Sequence, residues 1–284
     1  MSSQLDWNGD DAHRAWLAES FAKAAAEAGA TPTSEPVFGW RERTLSRRVR
    51  TSDGEFWLRV VSEQREWADG DFWTGNLDAS VITGVAKPQV LRHWEWDEGA
   101  SRLRAELMTL AAGHPCSSTP ELRHSLQLPV AWWNGLHTSL EALAATETPR
   151  VHLRQADVTQ RLVVFFGDRV ADPTVSRWTP AHTDLHWANI LAPECVLVDW
   201  EGWGVAPAGF DAACLYLHSL LRPDTAERVR AEFGARLEDR DGLLSQLYVT
   251  GRMLLRINSG DYTDLAIPLH HNAESVIEAL KVRR

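Results

Sequence analysis

The Asp53-Gly54 dipeptide stands between two short runs of alternating apolar residues, 37–50 and 55–62. Asp-Gly readily takes the positive φ angles of a tight turn, so it fixes a β-hairpin early in the chain. Further alternating segments follow at 88–94 and 102–110. Helical spacing frames them. Over 10–30, Trp16, Leu17, Phe21 and Ala24 fall near one stripe, Asp10 or Asp11 can cap its start, and Gly29 can end it. A second helical stretch covers 69–82.

After Gly113-His114-Pro115-Cys116-Ser117-Ser118 the pattern becomes mainly helical, with helices expected over 130–145, 210–221, 224–237, 242–257 and 267–280. Between them, 181–200 reads as a loop flanked by the apolar pieces 189–191 and 196–198, a small hairpin. The expected architecture is α+β. A β-rich N-terminal lobe with a leading helix spans residues 1–108, and a larger helical lobe spans 109–284.

Composition narrows the class. Hydrophobic residues make up 44% of the 284 positions and charged ones 24%, which suits a soluble globular protein with a large core. The formal net charge of −10 argues against a nucleic-acid surface, which needs an excess of Lys and Arg. No apolar run approaches the roughly 18 residues of a membrane span; 162–166 is among the longest. Residues Met1–Asp6 lack a basic stretch followed by an apolar one, so no signal peptide is expected. Cys116, Cys195 and Cys214 are far apart and lack metal-ligand spacing, which points to a reducing, cytoplasmic setting.

The chemistry concentrates in His182-Thr183-Asp184-Leu185-His186-Trp187-Ala188-Asn189, followed ten residues later by Asp199-Trp200-Glu201. Phosphoryl transfer needs a metal bridging phosphate oxygens and an acceptor for the proton of the incoming hydroxyl. Mg²⁺ prefers oxygen ligands, typically one or two side chains plus phosphates and water. Asp184, Asn189 and Asp199 supply such a set, with Asp184 and Asn189 at either end of one short loop.

This segment resembles the catalytic loop of the aminoglycoside phosphotransferase family, relatives of the protein kinases, in which His-x-Asp-x-x-x-x-Asn precedes a metal-binding Asp. The resemblance implies a protein-kinase-like two-lobed fold and an ATP-dependent O-phosphotransferase, with GTP as an alternative donor. It makes Asp184 the catalytic base and Asn189 and Asp199 the Mg²⁺ ligands. His182 becomes the structural histidine of the loop, and Glu201 adds a water-mediated metal contact. Asp211, within Pro207-Ala208-Gly209-Phe210-Asp211-Ala212-Ala213, props the loop at a helix start. His186 lies inside the loop, with a substrate or packing role.

In the N-terminal lobe the family places a phosphate-binding lysine on a strand that here reads Glu55-Phe56-Trp57-Leu58-Arg59-Val60-Val61, so Arg59 takes the position. The lysines, Lys23, Lys87 and Lys281, all lie elsewhere. Arg59 can grip phosphate oxygens through two donors at once. The expected helix glutamate is missing from 69–82, leaving Asp78 and Glu66 as the nearest acidic candidates. Gly39 is the single glycine of the segment that would cover the phosphates, and the joint around Glu106, Leu107 and Met108 is expected to offer backbone groups to adenine.

The acceptor is expected to be a small-molecule hydroxyl, with no nucleic-acid or membrane partner and the chain acting as a monomer or homodimer. From Arg222 onward the helical lobe carries ten basic and ten acidic residues, which gives a polycationic acceptor no support from charge. An uncharged antibiotic, a nucleoside or a metabolite alcohol fits as well. A catalytically silent nucleotide-binding module is the alternative from another class, and a protein kinase ranks last because 199–211 is too short for an activation segment. His270-His271 reads as a solvated helix face, and Trp132-Trp133 as packing.

Overall fold

The structure, a computed structural model, describes residues 11–282; the readings made on Met1–Asp6 and Asp10 lie outside them. The described chain falls into two compact units. One takes the residues up to Ser80 together with Pro88–Ala111, and the other takes Val81–Lys87 and the chain from Ala112 onward.

The first unit is a helix on a sheet. Helix α1 (Asp11–Glu27) buries Leu17, Phe21, Ala24 and Ala25, which recur on one stripe. The strands are β1 (Thr31–Pro32), β2 (Val37–Phe38), β3 (Thr44–Thr51), β4 (Gly54–Gln64), β5 (Val90–Glu98) and β6 (Ser101–Thr109). They form an antiparallel sheet of order β1-β3-β4-β6-β5, with β2 also beside β3. Leu45, Val49, Leu58, Val60, Leu103, Ala105 and Leu107 pack against Leu17 and Phe21. Alternate residues of a strand face opposite sides, so Arg59, Arg104 and Glu106 point away from this core. Helix α2 (Gly70–Asp78) brings Trp73 and Asn76 to them.

The run expected as one segment over 37–50 is broken. A 3₁₀ turn at Trp40–Glu42 separates β2 from β3, with Arg41 and Glu42 at φ 51° and 57°. The chain passes close to itself at Gly39, where a Cβ would stand 2.1 Å from Thr44 Oγ1.

The second unit holds α3 (Val130–Ala144), α4 (Gln155–Phe166), α5 (Phe210–Leu217), α6 (Pro223–Glu238), α7 (Arg240–Asn258) and α8 (Ala266–Val282). Two small antiparallel ladders accompany them. One pairs β7 (His114–Pro115) with β9 (Leu191–Ala192), and the other pairs β8 (Trp178–Ala181) with β10 (Gly204–Pro207). Helix α4 was not foreseen. Its buried stripe, Val158, Leu162 and Phe166, is hidden in sequence by Val163 and Val164, which are apolar and exposed. Helix α5 also stops at Leu217, four residues before the expected end. No helix of the described residues is long and apolar enough to cross a membrane.

Candidate active site

The chain leaves β8 and turns sharply at Thr183, whose φ of 69° is left-handed. Such strain persists only where surrounding bonds hold it, and here they do. Asp211, in the first turn of α5, accepts the backbone N–H groups of His182 and Thr183, each at 2.8 Å. Thr183 Oγ1 donates to the Gly202 carbonyl at 2.9 Å. Burial drives the Asp211 carboxyl upward, opposed by His182 and the two N–H bonds, and the net shift is upward. Gly209 opens α5 at φ 84°, where a Cβ would stand 2.6 Å from the Arg236 carbonyl, so glycine is required to start the helix there.

His182 is fully buried, its ring edge-on to Trp200 with centroids 4.6 Å apart. Its Nε2 lies 3.0 Å from the Val198 carbonyl; a carbonyl only accepts, so this nitrogen carries the proton. The Val198 N–H in turn donates to the Asn189 carbonyl at 3.0 Å. Both ends of the loop therefore grip the residue before Asp199. Asp199 has φ 66° and is exposed, and among the described residues its carboxylate has no ion-pair or hydrogen-bond partner.

Asn189 is buried and its amide nitrogen donates to the Asp184 carbonyl at 3.0 Å. The side-chain oxygen is then the atom it has to offer a cation. An amide oxygen and a carboxylate suit a hard cation completed by phosphate and water oxygens. No cluster of three or more His, Cys, Asp or Glu side chains among the described residues could hold a metal without such help.

The Asp184 side chain is 40% exposed. Arg252 Nη2 stands 3.4 Å from its Oδ1 and His186 Nε2 3.4 Å from its Oδ2. Burial acts to raise its carboxyl, but His186, Arg252 and His218 outweigh this and hold it well below the usual carboxylate range. Arg252 Nη1 also donates to the Thr183 carbonyl at 2.8 Å. Trp187, within the loop, is fully buried; its indole donates to Ser219 Oγ at 2.9 Å and packs against Trp132 and Trp133. These tryptophans are core. The Glu201 carbonyl accepts from Arg150 Nη2 at 3.1 Å. His270 and His271 are both exposed on α8.

In the first unit, Arg59 lies directly across the sheet from Glu106, with Nη1 3.3 Å from Oε2. The same carboxylate accepts from Asn76 at 2.9 Å and from Arg104 Nε at 3.0 Å. Arg104 reaches on to Glu95 at 3.0 Å, which accepts the Trp73 indole at 2.8 Å. Two expectations are corrected here. Met108 lies inside β6, paired with Trp57 on one side and Val90 on the other, so 106–108 is ladder rather than joint. Backbone free of the ladder begins at Leu110. The Gly39 N–H, the one backbone group of this residue able to donate to a phosphate, is spent on the Thr44 carbonyl at 3.0 Å.

Sequence reading missed Arg252, Asn76 and the side chain of Glu106. For Arg252 a signal existed: it is a lone charge among Val249, Met253 and Leu254, which helical spacing marks as interior. Cross-strand register and the approach of α2 to the sheet carry no such mark.

No family model and no curated protein matches the sequence. Solved structures do match. A thermostable mutant of aminoglycoside phosphotransferase APH(4)-Ia, in ternary complex with ADP and hygromycin B, is 14% identical and aligns with a TM-score of 0.62 over 92% of this chain and 98% of its own. Macrolide 2'-phosphotransferase MphH from Brachybacterium faecium, as the apoenzyme, is 15% identical, with a TM-score of 0.56 over 92% and 98%. A choline/ethanolamine kinase family protein from Mesorhizobium loti is 18% identical, with a TM-score of 0.55 over 93% of each chain. The chain shares the α+β, protein-kinase-like fold of these phosphotransferases, with a β-rich N-terminal region and a helical C-terminal one.

Proposed function

We propose that this chain is an ATP-dependent O-phosphotransferase of antibiotic-resistance type, acting on a hydroxyl of a small molecule. The observation that carries the reading is the block formed by Asp184, Asn189 and Asp199, in which one loop holds both its own carboxylate and the residue preceding the second. Its fold is shared with an aminoglycoside phosphotransferase bound to ADP and hygromycin B and with a macrolide 2'-phosphotransferase, which supports nucleotide as donor and an antibiotic hydroxyl as acceptor. ATP as donor places the reaction in the cytoplasm.

Asp184 accepts a hydrogen bond from the acceptor hydroxyl and orients its oxygen toward the γ-phosphorus. As the new P–O bond forms, the bond to the β-phosphate oxygen breaks, ADP leaves and the hydroxyl proton passes to Asp184. A carboxyl held this low is a weak base, and a loose transition state asks chiefly for orientation until late in the transfer. Asn189 and Asp199 would hold Mg²⁺, which would neutralise charge on the phosphate oxygens. Arg59 contacts phosphate oxygens, and backbone after Thr109 takes the adenine.

Calorimetric titration of ATP, with and without Mg²⁺, on wild type and Asp199→Ala tests the reading. Metal-dependent binding that the substitution removes is the expected result. Wild-type protein that binds no ATP under either condition would sink the proposal.

A further inference from the structure

Beside Asp184 stands a row of aromatic side chains to which the phosphoryl chemistry assigns no task. From Asp184 Oδ2 the row runs to His186 Nε2 at 3.4 Å, then to His218, whose ring centroid is 5.4 Å from that of His186. It ends at Tyr262, whose ring stands edge-on to His218 with centroids 5.9 Å apart. His218 is buried, and Tyr262, half-buried, is the outermost member.

Tyr262 is held there against its own backbone preference. Its φ of 27° and ψ of 48° are left-handed, an outlier for a bulky residue that persists only where neighbours fix it. Its carbonyl accepts the Leu265 N–H at 2.9 Å, Leu265 is fully buried, and Asp264 pairs with Arg123 at 2.7 Å. The turn between α7 and α8 therefore sets one aromatic ring against His218.

The two outer members of the row carry no charge in neutral solution. Burial pushes the Tyr262 phenol up to about 12 and His218 down to about 3. The charge of Asp184 is met by Arg252 at 3.4 Å. The carboxylates flanking Tyr262 face guanidiniums as well: Asp261 lies 3.9 Å from Arg256, and Asp264 shares Arg123 with Glu121. An ammonium brought to this row meets a guanidinium already seated on the carboxylate, whereas a flat uncharged ring gains an aromatic neighbour without that repulsion.

We propose that Tyr262 is a specificity-determining residue for the acceptor, and that the acceptor carries its hydroxyl on an uncharged ring lying against Tyr262 rather than on a polycationic framework. The proposal rests on the phosphotransferase reading and narrows its substrate class.

Two glucosides of nearly equal size test it. In p-(hydroxymethyl)phenyl β-D-glucoside every group is uncharged; p-(aminomethyl)phenyl β-D-glucoside has an ammonium in place of one hydroxyl. Calorimetry measures each on wild type, Tyr262→Phe, Tyr262→Ala and Tyr262→Glu, all saturated with Mg²⁺ and the ATP analogue AMP-PNP, with a thermal melt of each protein. Wild type is expected to bind the uncharged probe about tenfold or more tighter than the ammonium probe. Tyr262→Phe keeps the ring and is expected to stay within about threefold of wild type, while Tyr262→Ala loses about tenfold for the uncharged probe with AMP-PNP affinity held. Tyr262→Glu, which adds a carboxylate to the row, is expected to reverse the order of the two probes.

Equal or tighter binding of the ammonium probe by wild type overturns the proposal. Folded Tyr262→Ala that binds the uncharged probe like wild type overturns it too, as does nucleotide-loaded wild type that takes up neither probe. Should Tyr262→Ala fail to fold, the order of the probes on Tyr262→Glu decides. A wild type that binds no AMP-PNP fails in a different place: it removes the phosphotransferase reading itself.

Discussion

Arg252 and Asp184 are joined twice: Nη1 of the arginine holds the carbonyl of the residue before the aspartate at 2.8 Å, and Nη2 stands 3.4 Å from the carboxylate itself. A strained turn is therefore clamped on its N–H side by Asp211 and on its C=O side by Arg252.

Substituting Asp184 separates the chemical step from nucleotide binding. Asp184→Asn is expected to lower turnover by about 10²–10⁴-fold, the usual range for a positioned proton acceptor, with ATP affinity little changed. Substrate-dependent ADP release and calorimetry on the same preparation check it. Near-native turnover would remove Asp184 from the reaction.

Arg252→Ala keeps the carboxylate but loosens it. A misplacement on the order of 1 Å can cost about a hundredfold in rate, so kcat is expected to fall about 10- to 100-fold while KM for ATP holds. Arg252→Lys, which retains the charge but not the fork, is expected to recover part of the loss. Equal kcat in wild type and Arg252→Ala would show the clamp to be idle.

At Asp211 the cost falls on stability first. Asp211→Ala strands two buried N–H groups, at about 1–3 kcal/mol each. Asp211→Asn keeps one good acceptor and should lose less. Urea unfolding of the three proteins gives the ranking wild type, then Asn, then Ala; the reverse order for the two variants would mean that the hydrogen bonds are not what Asp211 contributes.

Stability is also expected to fall as the solution is acidified below pH 6.5. Burial lowers His152 to about 4 and His218 to about 3, whereas the unfolded chain takes up protons at both near 6.5. Between those values the unfolded state binds more protons, so stability rises with pH, by about 1.4 kcal/mol per pH unit for each histidine once fully in the window. Asp211, whose carboxyl is raised, acts in the opposite direction, so urea midpoints at pH 7.5, 6 and 5 are compared between wild type and Asp211→Asn to isolate the histidines. Midpoints that do not move across this range would count against both assignments.

The catalytic loop was legible because its chemistry is local. Asp184 and Asn189 are five residues apart, and the loop's fixed points, His182 and Asp211, belong to a pattern that the chain itself spells out. The sheet was legible from alternation and the Asp53-Gly54 turn. What escaped depends on pairing at a distance. Glu106 acquires its role only through the register of β4 with β6, and Arg252 only because α7 passes under the turn at Thr183. Met108 was misplaced for a related reason: nothing in an apolar run says where a ladder stops. Helix α4 was lost because two exposed valines blur its stripe.

Among the described residues, Arg252 is the one side chain beyond Leu221 that bonds the loop between His182 and Asn189; its other moorings, among them Asp211, Gly202, Val198 and Ser219, lie earlier in the chain. Most of the last three helices, α6, α7 and α8, is thereby released from the task of aligning the reacting groups. Lineages descending from such a protein can rewrite that surface to suit new molecules, one exposed position at a time, without disturbing the reaction. At residue 252 that freedom ends, because there a change of taste is also a change of rate.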